Sequence, residues 1–456
     1  MLLRYLIVHK LGAVLFESLL LVICALVGPI GRGLSDPWSY LLGVGRALTF
    51  AATFQIVLHL LDFYDFGAKL RIRNVIRLAQ GLLMASAIVF VTNMIVPSLL
   101  LGPGNAVTVL LRASACLIVW RAALWIYFAS VTARSSVLIM GTGKLARALA
   151  TEIIERPQLG LTVCGFVDDK PELVGQSIVN PKVIGLTKDV REITSKRSVK
   201  KIAVELQDRR GRLPIDALLE LKIHGVEIED ATSLYERLTG KVAIENLKPS
   251  WMIFSDGFEV SRRALLQKKI VSTAVSGLLL LLSLPLLPLI ALLIKLDSRG
   301  PVFHRQERVG QDGKTFTLWK FRSMRHDAER DSGPVWAAPS DSRVTRVGKY
   351  LRRTRLDELP QLYNVLRGDM SLVGPRPERP HFVQRLSEMI PYYHLRHCVK
   401  PGVTGWAQIN YRYGNSLEDA VEKLQYELFY IKNMSFWLDV VIIVDTIKTV
   451  LMRKGS

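Results

Sequence analysis

Four apolar segments fill the first third of the chain, at about Leu11–Ile30, Tyr40–Leu61, Leu78–Val96 and Val107–Ser130. Each approaches the roughly 20 residues that a membrane-spanning helix needs. That run of four commits the amino-terminal part to a helical bundle in a bilayer. Flanking charge sets the orientation. Arg4 and Lys10 precede the first segment, and Lys69, Arg71, Arg73 and Arg77 lie between the second and third. The loop Pro97–Ala106 carries no charge. By the positive-inside rule both ends of the bundle are cytoplasmic. Arg46, Arg112 and Arg121 fall inside apolar runs and are expected to snorkel or to face the bundle. The first run is too long for the apolar region of a cleavable signal peptide.

Charge narrows the class further. Hydrophobic residues make up 50% of the 456, yet the net charge is +20. The two coexist in a membrane protein whose basic surfaces face anionic lipid or phosphorylated substrates. Nucleic acid would also account for the charge. The cations adjoin apolar segments, however, and no nucleic-acid-binding motif is present, so no nucleic-acid partner is expected. Cys24, Cys116, Cys164 and Cys398 lack metal-ligand spacing and imply no disulfide framework.

Residues 135–258 read as a soluble α/β unit after a bundle at 1–134. Val137–Met140 is a short apolar strand, followed by Gly141-Thr142-Gly143-Lys144-Leu145-Ala146 and a helical pattern through Ile154. A second apolar stretch, Val163–Val167, ends in Asp168-Asp169. Strand, glycine turn, helix, strand and acid is the order of a dinucleotide-binding turn, in which backbone amides at a helix start receive a phosphate. Gly141, Gly143 and Asp168 are the candidate nucleotide contacts. A Rossmann-like domain whose glycines only permit a tight turn explains the same letters, and both readings stand.

A fifth apolar segment, 270–294, differs from the other four. Lys268 and Lys269 precede it, Lys295 and Arg299 follow it, and Pro285 and Pro288 interrupt it. Positive charge at both ends favours a helix that enters the membrane, bends at the prolines and returns. Near the carboxyl terminus, Phe436–Met452 sets apolar residues against Asp439, Asp445 and Lys448, a pattern suited to a helix in the membrane interface or to a core helix.

The chemistry concentrates in Leu351–Pro377. Asp357 and Glu358 stand beside Pro360, which is tolerated in the first turn of a helix, so a helix is expected from near Asp357 to Leu366 or Arg367, with Gly368 as its stop. Arg352, Arg353 and Arg355 flank the acids, which are expected to stay ionised. One carboxylate can attack a phosphate while its neighbour holds magnesium. A capping pair neutralised by arginines is the plainer account of these letters alone. Neighbouring features favour a polyphosphate site. Gly374-Pro375-Arg376-Pro377 pins an arginine in a rigid extended turn, Lys320 and Arg322 alternate as on one face of a strand, and Arg308 adds another cation.

The segment 259–456 resembles the bacterial sugar transferase family, the monotopic phosphoglycosyl transferases. The matching motifs, in order, are Gly300–Gln306, Arg308-Val309-Gly310, Lys320–Met324, Asp357–Gln361, Asn364–Ser371, Val373–Pro377 and Pro401–Gln408. With the bundle and the α/β unit in front, the chain resembles the long form of that family. The resemblance implies a fold of membrane α plus α/β: a four-helix bundle, a Rossmann-like cytoplasmic domain and a mixed α/β catalytic domain. Re-entrant helix 270–294 and interfacial helices would anchor the last of these.

The resemblance also implies the reaction. Asp357 would attack the β-phosphate of a UDP-sugar and release UMP. Undecaprenyl phosphate would then take the sugar phosphate from the aspartate. Magnesium on Glu358 would assist, and Arg376, Lys320 and Arg322 would neutralise phosphate charge. A bacterial cytoplasmic-membrane location and a homodimer are implied in the same way. Ser283 and Pro285 are separated by Leu284 where the family often has Ser-Pro, and Glu427 stands where Asp is frequent. Two rivals differ in class. A membrane-tethered nucleotide-sugar dehydratase would need a second glycine turn and a Tyr-x-x-x-Lys pair, and no such turn follows Gln267. A silent scaffold of a polysaccharide export complex would release no UMP.

Overall fold

The apolar runs fold as α1 (Leu2–Ala25), α2 (Pro37–Leu60), α3 (Ile72–Ile95) and α4 (Ala106–Val131). The structure, a computed structural model, describes residues 2–27, 37–61, 63, 72–96, 106–131, 135–156, 159–205, 213–244, 257–258, 262–325, 341, 343–411, 414, 416–451. Lys69 and Arg71, the loop 97–105, and the side chains of Arg4, Lys10 and Arg73 lie outside the described residues. Small and aromatic residues interleave at the helix contacts: Ala47, Phe50, Phe54, Ala85, Ala113 and Leu117 are all buried. Arg121 turns inward, with Nε 2.8 Å from Glu17 Oε1 and Nη2 donating to Glu17 Oε2 at 2.9 Å. A charge inside an apolar run is therefore neutralised within the bundle.

A parallel sheet follows in the order β3-β2-β1-β4-β5, built from β1 (Ser135–Met140), β2 (Leu161–Asp168), β3 (Val183–Leu186), β4 (Lys201–Val204) and β5 (Glu227–Asp230). The continuous apolar letters of β1 and β4 fit central strands covered on both faces. Helices α5 (Lys144–Glu155), α6 (Val190–Lys196), α7 (Ile215–Ile223) and α8 (Ala231–Thr239) connect or flank these strands. Leu138, Met140, Val167, Ile202 and Leu218 form part of one core with them. Gly141, at φ 109, makes the turn out of β1.

The chain divides into two compact units, Met1–Thr239 and Gly240–Ser456. The second begins before residue 259 because Val242 N donates to Gln425 O at 3.1 Å and Lys241 pairs with Glu422. Within it, α9 (Arg262–Ser283) and α10 (Leu286–Asp297) replace the single apolar segment. Leu284 and Pro285 separate them, while Pro288 is accommodated in the first turn of α10, where its missing donor costs nothing. Among the described residues α2, α9 and parts of α3 and α4 are long and apolar enough to cross a membrane.

The antiparallel ribbon β6 (Phe303–Val309) and β7 (Thr315–Phe321) is followed by α11 (Arg346–Arg353), α12 (Gln361–Arg367) and β8 (Ser371–Val373). Then come α13 (Pro380–Met389), β9 (Gly402–Thr404), α14 (Trp406–Asn410), α15 (Leu417–Lys432) and α16 (Phe436–Leu451). β8 and β9 pair in parallel. They approach so closely that a Cβ on Gly402 would stand 2.1 Å from Gly374 N. This explains glycine in two separated motifs.

Candidate active site

The acid pair sits on a tight turn ahead of a helix. Thr345 caps α11 by accepting from Gly348 N at 3.0 Å. At its far end Arg355 adopts φ 58 and reverses the chain. Leu356–Glu358 then form one 3₁₀ turn, with Glu358 N donating to Arg355 O at 3.1 Å. Pro360 has no N–H to give, so regular α-helix begins only at Gln361, later than the start near Asp357 expected from the sequence. Gly368, at φ 92, ends it as anticipated. Asn364, wholly buried, fastens α12 to β7: Trp319 N donates to its Oδ1 at 3.1 Å and its Nδ2 donates to Thr317 O at 2.8 Å.

Asp357 and Glu358 are both buried, but their surroundings differ. Three cations gather on Glu358. Arg376 Nη2 donates to Oε1 at 2.6 Å, Lys320 Nζ lies 3.6 Å from Oε1, and Arg355 Nη1 lies 3.6 Å from Oε2. Burial works to raise Glu358, but Arg376, Lys320 and Arg355 overcome it and hold the carboxyl far below the usual range. Burial and the neighbouring Glu358 charge raise Asp357, against Lys320, Arg352 and Arg376. The two acids, which the sequence treats alike, are thus pushed in opposite directions. Among the described residues no cation lies within ion-pair distance of Asp357, so its oxygens are uncommitted.

The turn carrying Arg376 is braced along its backbone. Pro375 O accepts from Gly402 N at 2.8 Å, Arg376 O from Arg396 Nη2 at 2.8 Å, and Pro377 O from Arg308 Nη1 at 3.0 Å. Arg308 thus braces the turn, and its charge also reaches Lys320. Arg352 Nε donates to Ser323 Oγ at 2.9 Å and remains close enough to lower Asp357, while Arg353 is exposed.

Arg322 is a second correction. Sequence alternation placed it on the face of Lys320, but β7 ends at Phe321, and its guanidinium donates to Ser298 O at 2.7 Å, Ser298 Oγ at 3.0 Å and Arg299 O at 3.0 Å. It closes the end of α10. The sequence reading missed Arg396, which forms a fully buried pair with Glu427. Glu427 was visible as a departure from the family pattern; Arg396, in a run of basic and aromatic letters, gave no signal.

Glu358 does not fit the part of magnesium ligand given to it from the sequence. Both of its oxygens already face cations, which would repel a metal ion. The described residues hold no cluster of three metal-ligating side chains. In the first unit Gly143 N donates to Glu205 Oε2 at 2.9 Å, and Thr142 Oγ1 donates to Asp168 Oδ2 at 2.7 Å. The candidate nucleotide residues Gly141, Gly143 and Asp168 are thus gathered around side chains of their own domain.

The order of motifs that builds this site is matched by a family profile described as Bacterial sugar transferase, over residues 263–453. An undecaprenyl-phosphate glucose phosphotransferase of Komagataeibacter xylinus is 36% identical over 328 residues, covering 70% of this chain and 60% of that protein. A UDP-glucose:undecaprenyl-phosphate glucose-1-phosphate transferase of Caulobacter vibrioides is 39% identical over 244 residues, 53% of this chain and 85% of that protein. The chain belongs to the bacterial sugar transferase family. A third relative, from Aeromonas hydrophila, is named UDP-N-acetylgalactosamine-undecaprenyl-phosphate N-acetylgalactosaminephosphotransferase. It is 42% identical over 228 residues, 48% of this chain and 51% of that protein. The chain spans about half the length of that relative. In this member of the family the motifs thus coincide with the acid turn, the braced Arg376 turn and the β8–β9 ladder.

Proposed function

We propose that this sugar transferase moves a sugar-1-phosphate from a UDP-sugar to undecaprenyl phosphate and releases UMP. The step would initiate glycan assembly at the cytoplasmic face of the bacterial inner membrane. The division of labour between two adjacent acids carries the reading: Glu358 is held by Arg376 at 2.6 Å, while Asp357 is buried beside it with uncommitted oxygens. Acids whose surroundings push them in opposite directions take different roles.

Asp357, as carboxylate, attacks the phosphorus that bears the sugar. The bond from that phosphorus to the bridging oxygen breaks, and UMP leaves with the electron pair. The sugar phosphate remains on Asp357 as an acyl phosphate. An oxygen of undecaprenyl phosphate then attacks the same phosphorus and frees the carboxylate. Lys320, Arg376, Arg355 and Arg352 offset the charge spread over the phosphoryl oxygens, the main protein contribution in phosphoryl transfer. A re-entrant α9–α10 would dock the site where the lipid phosphate leaves the bilayer. The sheet of residues 135–230 would be the Rossmann-like cytoplasmic domain of the long form.

Incubation with a UDP-sugar labelled in the sugar, without lipid acceptor, tests the reading. Label should attach to wild-type protein and not to Asp357→Asn. Complete turnover with no adduct at any time would overturn the two-step route.

A further inference from the structure

The glycine turn before α5 is already filled by the chain itself. The Glu205 carboxylate accepts from Gly143 N at 2.9 Å and from Leu145 N at 3.2 Å. It therefore stands at the start of a 12-residue helix, where the amides and the helix dipole of a dinucleotide-binding turn receive a phosphate. The acid that ends β2 is engaged as well. Thr142 Oγ1 donates to Asp168 Oδ2 at 2.7 Å and Lys170 N donates to Oδ1 at 3.1 Å. In a dinucleotide site that carboxylate is needed for the ribose hydroxyls.

Position in the sheet makes the occupation a specific one. Glu205 follows β4, and its N donates to Met140 O, the last residue of β1, at 2.7 Å. With the order β3-β2-β1-β4-β5, the boundary between β1 and β4 is where the winding reverses, and open parallel sheets bind their ligands in the crevice there. The Glu205 side chain lies across that crevice. Glu205 also bears on both glycines, through its backbone at one and its side chain at the other. A Cβ at Gly141 would stand 2.2 Å from Glu205 O, and one at Gly143 would stand 2.3 Å from Glu205 Oε1. Gly143 thus leaves room for the internal carboxylate, and Gly141, at φ 109, for the Glu205 backbone carbonyl, whether or not a nucleotide ever binds. Burial pushes Glu205 upward, opposed by the amides of Gly143, Ala146 and Leu145.

We infer that this is a self-liganded turn: Glu205 occupies the place of a nucleotide phosphate and closes the switch point of the sheet, so the domain folds and works without a dinucleotide. The inference concerns the first unit and is independent of the acid-pair chemistry.

The test uses the purified full chain in detergent. Titration with NADH and with ADP-ribose should give no saturable binding up to about 1 mM. Glu205→Ala should lower the thermal midpoint by several degrees, and inorganic phosphate should raise the midpoint of the variant while leaving wild type unmoved. Glu205→Gln keeps the shape and one acceptor oxygen, and should fall between the two. Saturable micromolar binding of either nucleotide to wild type overturns the inference. So does a Glu205→Ala midpoint that equals wild type or that phosphate does not raise. If Glu205→Ala fails to fold, the nucleotide titrations of wild type and of Glu205→Gln decide the matter.

Discussion

Arg396 donates through Nη2 to the backbone carbonyl of Arg376 at 2.8 Å, while Glu427 accepts from its Nε at 2.8 Å and its Nη2 at 2.7 Å. The position of the arginine that holds Glu358 is thus set from α15. Both members of the pair are buried, so removing one leaves a desolvated charge without its partner. Glu427→Gln is expected to destabilise the protein by about 3–5 kcal/mol. Thermal unfolding would measure this, and a midpoint equal to wild type would remove the bracing role.

Asp357→Asn keeps the size of the side chain and removes the proposed nucleophile. UMP release should drop by at least ~10⁴-fold, as expected for loss of a covalent catalyst. Intact-protein mass after incubation with donor should show no sugar-phosphate addition. Retention of a tenth of wild-type activity would mean another group attacks phosphorus.

Arg376→Lys preserves charge but loses the planar fork that meets Glu358. A hydrogen bond to a charged group contributes about 1.5–3 kcal/mol, so kcat/KM should fall roughly 10- to 150-fold. Steady-state kinetics with a UDP-sugar would report it. Glu358→Gln should also slow turnover, but the magnesium concentration giving half-maximal rate should change little. A large increase there would restore Glu358 as a metal ligand.

The pH profile should have an alkaline limb set by Lys320. Burial pushes this lysine down to about 8, with Glu358 opposing, so its proton leaves as pH rises through that value and the site loses a cation. kcat/KM should therefore decline above about pH 8, and Lys320→Arg should keep its charge and abolish the decline. On the acid side Asp357 is raised, so its carboxylate is lost at a higher pH than for an exposed aspartate. An alkaline limb unchanged by Lys320→Arg would exclude the lysine.

Arg322→Met separates a structural role from phosphate binding. It removes three hydrogen bonds made by Nη1 and Nη2 at the end of α10, so the thermal midpoint should fall while KM for the donor stays within about twofold. A rise in KM at unchanged stability would return Arg322 to the phosphate site.

Much of this architecture could be read from letters because local rules and global fold agree. The apolar runs, Gly368 at a helix end and Gly141 at a strand end each have one economical conformation. Where the reading failed, tertiary contacts decided. Lys320 and Arg322 alternate as a strand would have them, but β7 ends between them, and the free carbonyls of α10 claim the second. Asp357 and Glu358 look equivalent in sequence, since only packing shows which one the cations surround. Glu205 lies 62 residues from Gly143, and nothing near either residue announces the contact.

The end of α10 is fastened twice to the body that carries the acids, by Arg322 just after β7 and by Asp297 Oδ2, which accepts from Val347 N in α11 at 2.9 Å. Tilting that apolar helix in thicker or thinner lipid would therefore carry the nucleophile's support along with it. Under the proposed reaction, lipid chain length would then become an input to the geometry of the acid pair.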